Sequence, residues 1–336
     1  MNFFKSRKYY FVLAVSLAIG SIKVDAQDFH LSQYDAAALY LNPALAGQFD
    51  GKYRLHAHYR TQWGSVSSKA FNTSAISFDM PFKKFAFGLQ VLNSRAGAGN
   101  YNVLNIALNA AYNIYLDKDK THKIAFGVQG GTIQKSVNFN NLYFENQFTS
   151  TGGGSFDLNA PTGETFNNNS FWIPDLNAGF VYFYGKEQIR VNPFVGYSVF
   201  HLTQPQEDFF GTNNKLPMRH VVHGGAKINI SNTVQILPKG LYMQQENASE
   251  VNVGMMLHYH MQKAGTILML GTNFRSEDAF IIEAGAKYGS YEARISYDVN
   301  TSDLNDFSDG KGGFEVSITY IPKIFKPNPI RNCPRI

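Results

Sequence analysis

Cysteine occurs once in the 336 residues, at Cys333 near the C-terminus. A single cysteine excludes an intrachain disulfide framework. Charge is also scarce: Asp, Glu, Lys and Arg make up 16% of the chain, against roughly 25% in a typical soluble domain. No apolar run reaches the roughly 20 residues of a membrane-spanning helix. Lys and Arg are not clustered as nucleic-acid binding requires. Also missing are a G-x-S-x-G elbow, a Walker loop and an H-E-x-x-H pair. Glu250 and His258 lie close in sequence but have no nucleophile to serve. No enzyme activity and no cofactor are expected.

What remains is apolar and aromatic, at 44% and 15% of the residues. The first 26 residues read as an export leader. Lys5, Arg7 and Lys8 form its basic start, Tyr9 to Ile22 its apolar core, and Val24-Asp25-Ala26 its cleavage site before Gln27. No cysteine follows that site, so nothing points to lipid attachment. Removing the leader takes four basic residues and one acidic residue with it. The net charge falls from +5 to +2.

After residue 52 the chain alternates with period two, in segments of about ten residues. In "KYRLHAHYRTQW", Tyr53, Leu55, Ala57, Tyr59 and Trp63 share one face, and Arg54, His56, His58, Arg60 and Gln62 the other. In "VLNIALNAAYNIYL", Leu, Ile and Tyr alternate with Asn and Ala. A soluble sheet shows water a face rich in Lys and Glu. Here the second faces are Asn, Gln, Gly, Ala, Ser and His, with a few Arg. Apolar outside and small polar inside is the pattern of an outer-membrane barrel, and closure follows because an open edge in lipid leaves backbone groups unpaired. The fold class is therefore all-β, a transmembrane up-and-down barrel.

Fourteen antiparallel strands are predicted, starting near Tyr53, Thr73, Phe85, Tyr101, Ile124, Leu176, Ile189, Arg219, Thr233, Val251, Thr266, Ala279, Tyr291 and Phe314. Short turns ("PFKK", "DKDKTH", "GKEQ", "SN", "MQKAG", "GS") alternate with longer connections, notably Asn138 to Pro174, His201 to Met218 and Asn300 to Gly312. That asymmetry puts both termini on the periplasmic side of an outer membrane. The expected division is a leader at 1–26, a plug-like segment at 27–51, the barrel at 52–325 and a periplasmic tail at 326–336.

The stretch "QYDAAALYLNPALAGQ" (Gln33 to Gln48) stands apart. Ala36, Leu39 and Tyr40 have near-helical spacing, and the pattern breaks at Asn42-Pro43-Ala44, since proline disfavours helix before it. A barrel this wide is not filled by side chains alone, so the segment is predicted to fold into the bore as a plug around Asn42, Pro43 and Ala44.

Several blocks resemble a known family. "FHLSQYDAAALYLNPALAG", "GYSVFHL", "LPMRHVVHGG", "ISYDVN", "GGFEVSITY" and the tail "NCPRI" are similar, in order, to PorP/SprF proteins of the type IX secretion system in the Bacteroidetes. The resemblance implies an outer-membrane protein that docks, secretes or anchors a surface adhesin bearing a type B C-terminal sorting domain, in gliding motility or adhesion. It also implies a periplasmic partner such as an OmpA-like peptidoglycan-binding lipoprotein. Many such barrels end on an aromatic residue, whereas this chain runs on to Ile336, so its assembly signal is expected inside "FEVSITYIPKIF". The Asn-Pro-Ala turn is also similar to the plug of long-chain fatty-acid transporters, which keeps a passive channel for small molecules as the alternative.

Candidate sites follow from residue chemistry. The pairs His56/His58, His258/His260 and His220/His223 have strand spacing that can serve zinc, but no local third ligand exists; lumen lining is their ordinary role, and no metal is called. Asp298, Asn300, Ser302, Asp303 and Asp309 imitate part of a calcium loop without its glycine and final glutamate. The long loops are the expected partner-binding elements, through Tyr143, Phe144, Phe148, Phe171, Trp172, Phe209 and Phe210; the same aromatics suit a folded-in lid. Lys83, Lys84, Lys118, Lys120 and Lys186 lie in the short turns, where solvation is the default reading and a face for an envelope partner the alternative.

Overall fold

The computed structural model describes residues 28–323, except 65–68, 151–153, 165–167, 186–188, 208, 210–213, 303–304 and 309. The predicted leader, the tail, and the candidates Lys186, Phe210, Asp303 and Asp309 lie outside the described residues. The first five strands are β1 (Arg54–Gln62), β2 (Phe71–Phe82), β3 (Phe85–Ala96), β4 (Tyr101–Tyr115) and β5 (His122–Ser136). A two-stranded ribbon, β6 (Phe148–Thr149) and β7 (Ser155–Phe156), interrupts them. The chain continues through β8 (Ser170–Tyr184), β9 (Val191–Phe200), β10 (Arg219–Asn229), β11 (Val234–Gln245) and β12 (Ala248–Met261). It ends with β13 (Thr266–Arg275), β14 (Ala279–Tyr288), β15 (Tyr291–Asn300) and β16 (Lys311–Tyr320).

Without the ribbon, fourteen antiparallel strands close a barrel, β1 pairing with β16. Alternation dictates which way each side chain faces. Along β1, Leu55, Ala57 and Tyr59 point out, and His56, His58 and Arg60 are buried inside. The barrel is thus inverted relative to a soluble protein: Ile76, Leu108 and Leu270 are 64%, 67% and 59% exposed on its outer surface, while Arg60, Asp79, Glu283 and Glu315 are buried within. A continuous exposed apolar band suits lipid, not water. Aromatics gather at the short-turn end, with Phe85 and Tyr112 rings 4.9 Å apart and Tyr291 and Tyr320 4.7 Å apart. They match the interfacial girdle of outer-membrane barrels.

Thirteen of the fourteen barrel strands begin within three residues of their predicted starts. The exception is β8, which begins at Ser170 rather than Leu176. Pro174 made that stretch read as loop. It is tolerated because β8 pairs with β9 only over Ala178–Phe183, so the missing N–H of Pro174 removes no barrel bond on that side. Its carbonyl instead accepts from Thr203 Oγ1 in the next loop.

Residues 28–52 run through the bore. Asp28 N–H donates to Gln245 at the loop end of β11 (2.8 Å), whereas Lys52 N–H donates to the Pro322 carbonyl beyond β16 at the opposite end (3.1 Å). The expectation that the segment starts on the short-turn side is therefore corrected for Asp28, which lies at the long-loop end, and the described chain descends from there. Its helix is a single turn, α1 (Ala38–Leu41). Pro43 lacks the N–H to continue it, and a 3-10 turn over Pro43–Leu45 follows, capped by the Asn42 side chain accepting from Ala44 N–H (2.9 Å).

Candidate functional site

Small side chains and charged anchors hold the bore segment in place at successive depths. Near the loop end, the backbone N–H groups of Ser32 and Gln33 donate to the Glu315 carboxylate (2.5 and 2.9 Å). Arg60 donates to Glu315 (2.5 Å), to Asp298 (3.0 Å) and to Ser32 Oγ (2.6 Å). Arg275 adds a bond to Asp298 (2.8 Å), and His58 Nε2 lies 3.0 Å from Glu315. Gln33 completes the layer through Ser296 and Ser317. All four charges are essentially excluded from solvent, which is tolerable only because each finds opposite charge and hydrogen bonds.

At the same end, Asp28 lies 2.8 Å from His201 Nε2 and 3.0 Å from Arg219. His201 Nδ1 lies 2.9 Å from Asp175. Burial alone pulls the His201 imidazole down, but Asp28 and Asp175 outweigh it and push it up to about 9. Burial likewise raises the Asp28 carboxyl, and His201 with Arg219 overcomes it and holds it well below the usual range. Arg219 lies between two rings, 4.7 Å from Tyr40 and 4.4 Å from Phe200. The Tyr40 hydroxyl accepts from Arg219 (2.7 Å) and donates to the Phe29 carbonyl.

Deeper, Asp35 meets Lys239 (2.7 Å) and Arg294 (2.9 Å), and Glu283 lies between the same two cations (3.4 and 3.3 Å). The Asn-Pro-Ala turn comes next. Asn42 Nδ2 donates to the carbonyls of Phe180 (3.1 Å) and Tyr197 (3.2 Å) and lies 3.1 Å from His223 Nε2. The turn presses on wall glycines: a Cβ at Gly127 would lie 2.3 Å from Ala44 N, and one at Gly179 2.3 Å from Asn42 Oδ1. Near the short-turn end, Gly47 N–H donates to Asp79 (2.7 Å), which Arg54 grips with two bonds. Gln48 bridges Asn113 (2.7 Å) and Lys123 (2.6 Å). Below the turn the bore widens into a vestibule of about 860 Å³.

The other sequence candidates fall elsewhere. His56 bonds Thr319 and His58 bonds Glu315; His258 and His260 line the vestibule. His220 and His223 are three apart on one strand, so they lie on opposite faces, His220 against the Tyr197 hydroxyl and His223 against Asn42. No group of three metal-ligand side chains occurs among the described residues. The calcium-loop reading is corrected for Asp298 and Asn300. Asp298 is taken by Arg60 and Arg275 inside the bore, and Asn300 bonds Ser308 and the Lys311 carbonyl. Ser302 stays in the loop, apart from that buried layer.

The loop aromatics divide. Phe171 packs on Phe209 (4.7 Å between rings), which also meets Phe139 and Tyr101; these fold together as a lid-like cluster. Tyr143 and Phe148 are exposed and gather on Phe156 (5.1 and 5.3 Å), and Phe144 is half-buried beside them. Trp172 is exposed, on β8 rather than in a loop. Lys83, Lys84, Lys118 and Lys120 sit in the two short turns after β2 and β4.

Sequence reasoning missed the anchors Asp28, Ser32 and Asp35 and their partners. A signal was present: Arg60, Lys239, Arg275, Glu283, Arg294 and Glu315 occupy inward positions on membrane strands, where charge persists only with a partner.

Two solved structures share this architecture. A Pseudomonas aeruginosa FadL homologue matches with a TM-score of 0.51 at 10% identity, over 85% of this chain and 94% of that one. The P. putida toluene transporter TodX matches with a TM-score of 0.50 at 8% identity, over 87% and 94%. At such identities the likeness is one of fold. No curated protein is significantly similar in sequence. The sequence model of one family, described as type IX secretion system membrane protein PorP/SprF, matches residues 23–320. The chain belongs to the PorP/SprF family of type IX secretion system membrane proteins.

Proposed function

We propose that this barrel is a closed docking component of the type IX secretion system, holding a secreted surface adhesin by its C-terminal sorting domain. One observation carries the reading: residues 28–48 fill the bore and are tied to its wall by buried ion pairs at several depths. An anchor works with a blocked bore, whereas a channel needs a continuous path. In this reading the long loops face outward, as in outer-membrane barrels generally, and exposed Tyr143, Phe148 and Trp172 meet the adhesin. Aromatics are the residue types that dominate interface energetics. Lys52 and Tyr320 then mark the periplasmic end, and Asp28 faces outward. The turn lysines Lys83, Lys84, Lys118 and Lys120 meet a periplasmic partner of the OmpA-like lipoprotein kind. Gliding or adhesion is the process served.

The test is co-purification in mild detergent followed by mass spectrometry. Recovery of a surface protein with a type B C-terminal sorting domain is expected, and its loss in a Tyr143→Ala/Phe148→Ala variant. Consistent recovery of no such protein contradicts the reading.

A passive small-molecule channel is the second reading, favoured by the vestibule of about 860 Å³ and by the fold shared with the FadL homologue and TodX. It requires the bore segment to move.

A further inference from the structure

The vestibule below the Asn-Pro-Ala turn is not used by the docking reading, which concerns the opposite end. It opens among the short turns at Gly185 and Ile321 and reaches up to Asp35, Ala38 and Leu41 of the bore segment. Along β10 its lining runs from Asn229 to His223, about 20 Å along the strand and about 15 Å of depth at the usual tilt of membrane barrel strands. Its volume lies within the range of built ligand pockets.

Its chemistry is two-sided. Phe183 on β8 and Phe194 on β9 give an apolar wall, and Lys287 on β14 and Arg294 on β15 lie across the barrel from them. Cations exceed anions in the lining: Arg54, Lys227, Lys287 and Arg294 stand against Asp35 and Glu292. Arg54 is satisfied by Asp79, Arg294 by Asp35 and Glu292, and Lys287 lies 3.7 Å from Glu292. Lys227 makes no ion pair or hydrogen bond among the described residues, and it is exposed within the cavity. His258 in the same lining keeps Nε2 buried without a partner. The arrangement therefore offers positive charge on four strands, β1, β10, β14 and β15, with the Lys227 cation unspent, beside an aromatic wall.

We propose that this vestibule receives an acidic, partly apolar peptide segment from a partner at the short-turn end, with Lys227 taking a carboxylate and Phe183 and Phe194 taking apolar side chains. The depth admits about four to five extended residues. A peptide is favoured over a lipid because the two least committed cations stand on separate strands, Lys227 on β10 and Lys287, which shares Glu292 with Arg294, on β14, whereas a lipid carboxylate carries its charge at one end. The occupant would touch Leu41 and Asp35, and so report on the underside of the bore segment.

The test uses the full chain in detergent and a blocked hexapeptide alternating aspartate and leucine, carrying a neutral fluorophore. Fluorescence anisotropy is expected to show binding, about tenfold or more tighter than for the same peptide with lysine in place of aspartate. Affinity should fall as salt rises from about 50 mM to about 500 mM, because screening shortens the reach of the cations. Lys227→Glu should weaken the acidic peptide about tenfold or more, while the barrel still shows heat-modifiable migration. If Lys227→Glu does not fold, Lys227→Met with Lys287→Met serves, with the same expected loss. Equal binding of the two peptides overturns the proposal, as does unchanged affinity in a folded Lys227 variant. Displacement of the peptide by palmitate at equal concentration also overturns it, since the site would then be one for lipid.

Discussion

Gly127 of β5 and Gly179 of β8 are register partners across two neighbouring strands, and together they make the notch in which the Asn-Pro-Ala turn is seated. The wall has given up two side chains where the turn comes closest. The turn is thus fitted to the wall by shape as well as by the bonds of Asn42.

Filling the notch should unseat the turn. Gly127→Ala puts a methyl group 2.3 Å from Ala44 N, an overpacking that costs about 1–3 kcal/mol. Gly130→Ala on the same strand meets its nearest atom at 3.9 Å and should be neutral. Limited proteolysis of residues 28–48 in detergent should be faster for the first variant and unchanged for the second.

Removing the amide acts at the same place by another route. Asn42→Ala removes both amide hydrogen bonds, to the carbonyls of Phe180 and Tyr197, and the contact with the His223 ring. Each hydrogen bond lost in this way costs about 0.5–1.5 kcal/mol. The expected result is a loosened bore segment inside an intact barrel. Loss of the barrel itself, read by heat-modifiable migration, would contradict a role confined to the segment.

The upper layer predicts strong coupling. Glu315→Gln removes the carboxylate that Arg60 and His58 share, leaving Arg60 with Asp298, and breaking a buried pair from one side costs up to about 3–5 kcal/mol. A double-mutant cycle with Arg60→Gln should return a coupling well above the roughly 0.5 kcal/mol of independent sites.

The latch on Asp28 should depend on pH in a defined direction. His201 is raised to about 9 from 6.5, so its contribution is complete below about pH 6.5 and is lost as the pH rises through about 9. Asp28 is lowered from 3.8, so its part is present above about pH 4 and is lost in acid. NMR of ring-labelled histidine, with His201→Gln to assign the signal, should show a titration near 9. Asp28→Asn should lower it by about a unit or more. A titration near 6.5 in the native chain would contradict the latch.

The barrel was legible because lipid outside and polar side chains inside impose period two on every strand, as Leu55 and His56 show in β1. Pro174 hid the start of β8 because its cost depends on a neighbour, β9, that stops short. The Asn-Pro-Ala turn announced itself locally, since capping and helix breaking act within a few residues. Its seat did not: Gly127 and Gly179 matter only once the two strands pair. Asp298, which accepts from Ser32, and Lys239, which holds Asp35, lie on strands more than two hundred residues away, and no local pattern encodes such pairing. The loop aromatics were visible as a group, but the division between the Phe171–Phe209 cluster and exposed Tyr143 depends on how the loops fold.

Whether residues 28–48 close the bore is the central claim, and ionic conductance across a planar bilayer measures it directly. The native barrel should insert without a steady open pore, and Asn42→Ala combined with Gly127→Ala should open one. A steady open conductance from the native protein, equal to that of the double variant, would contradict the account.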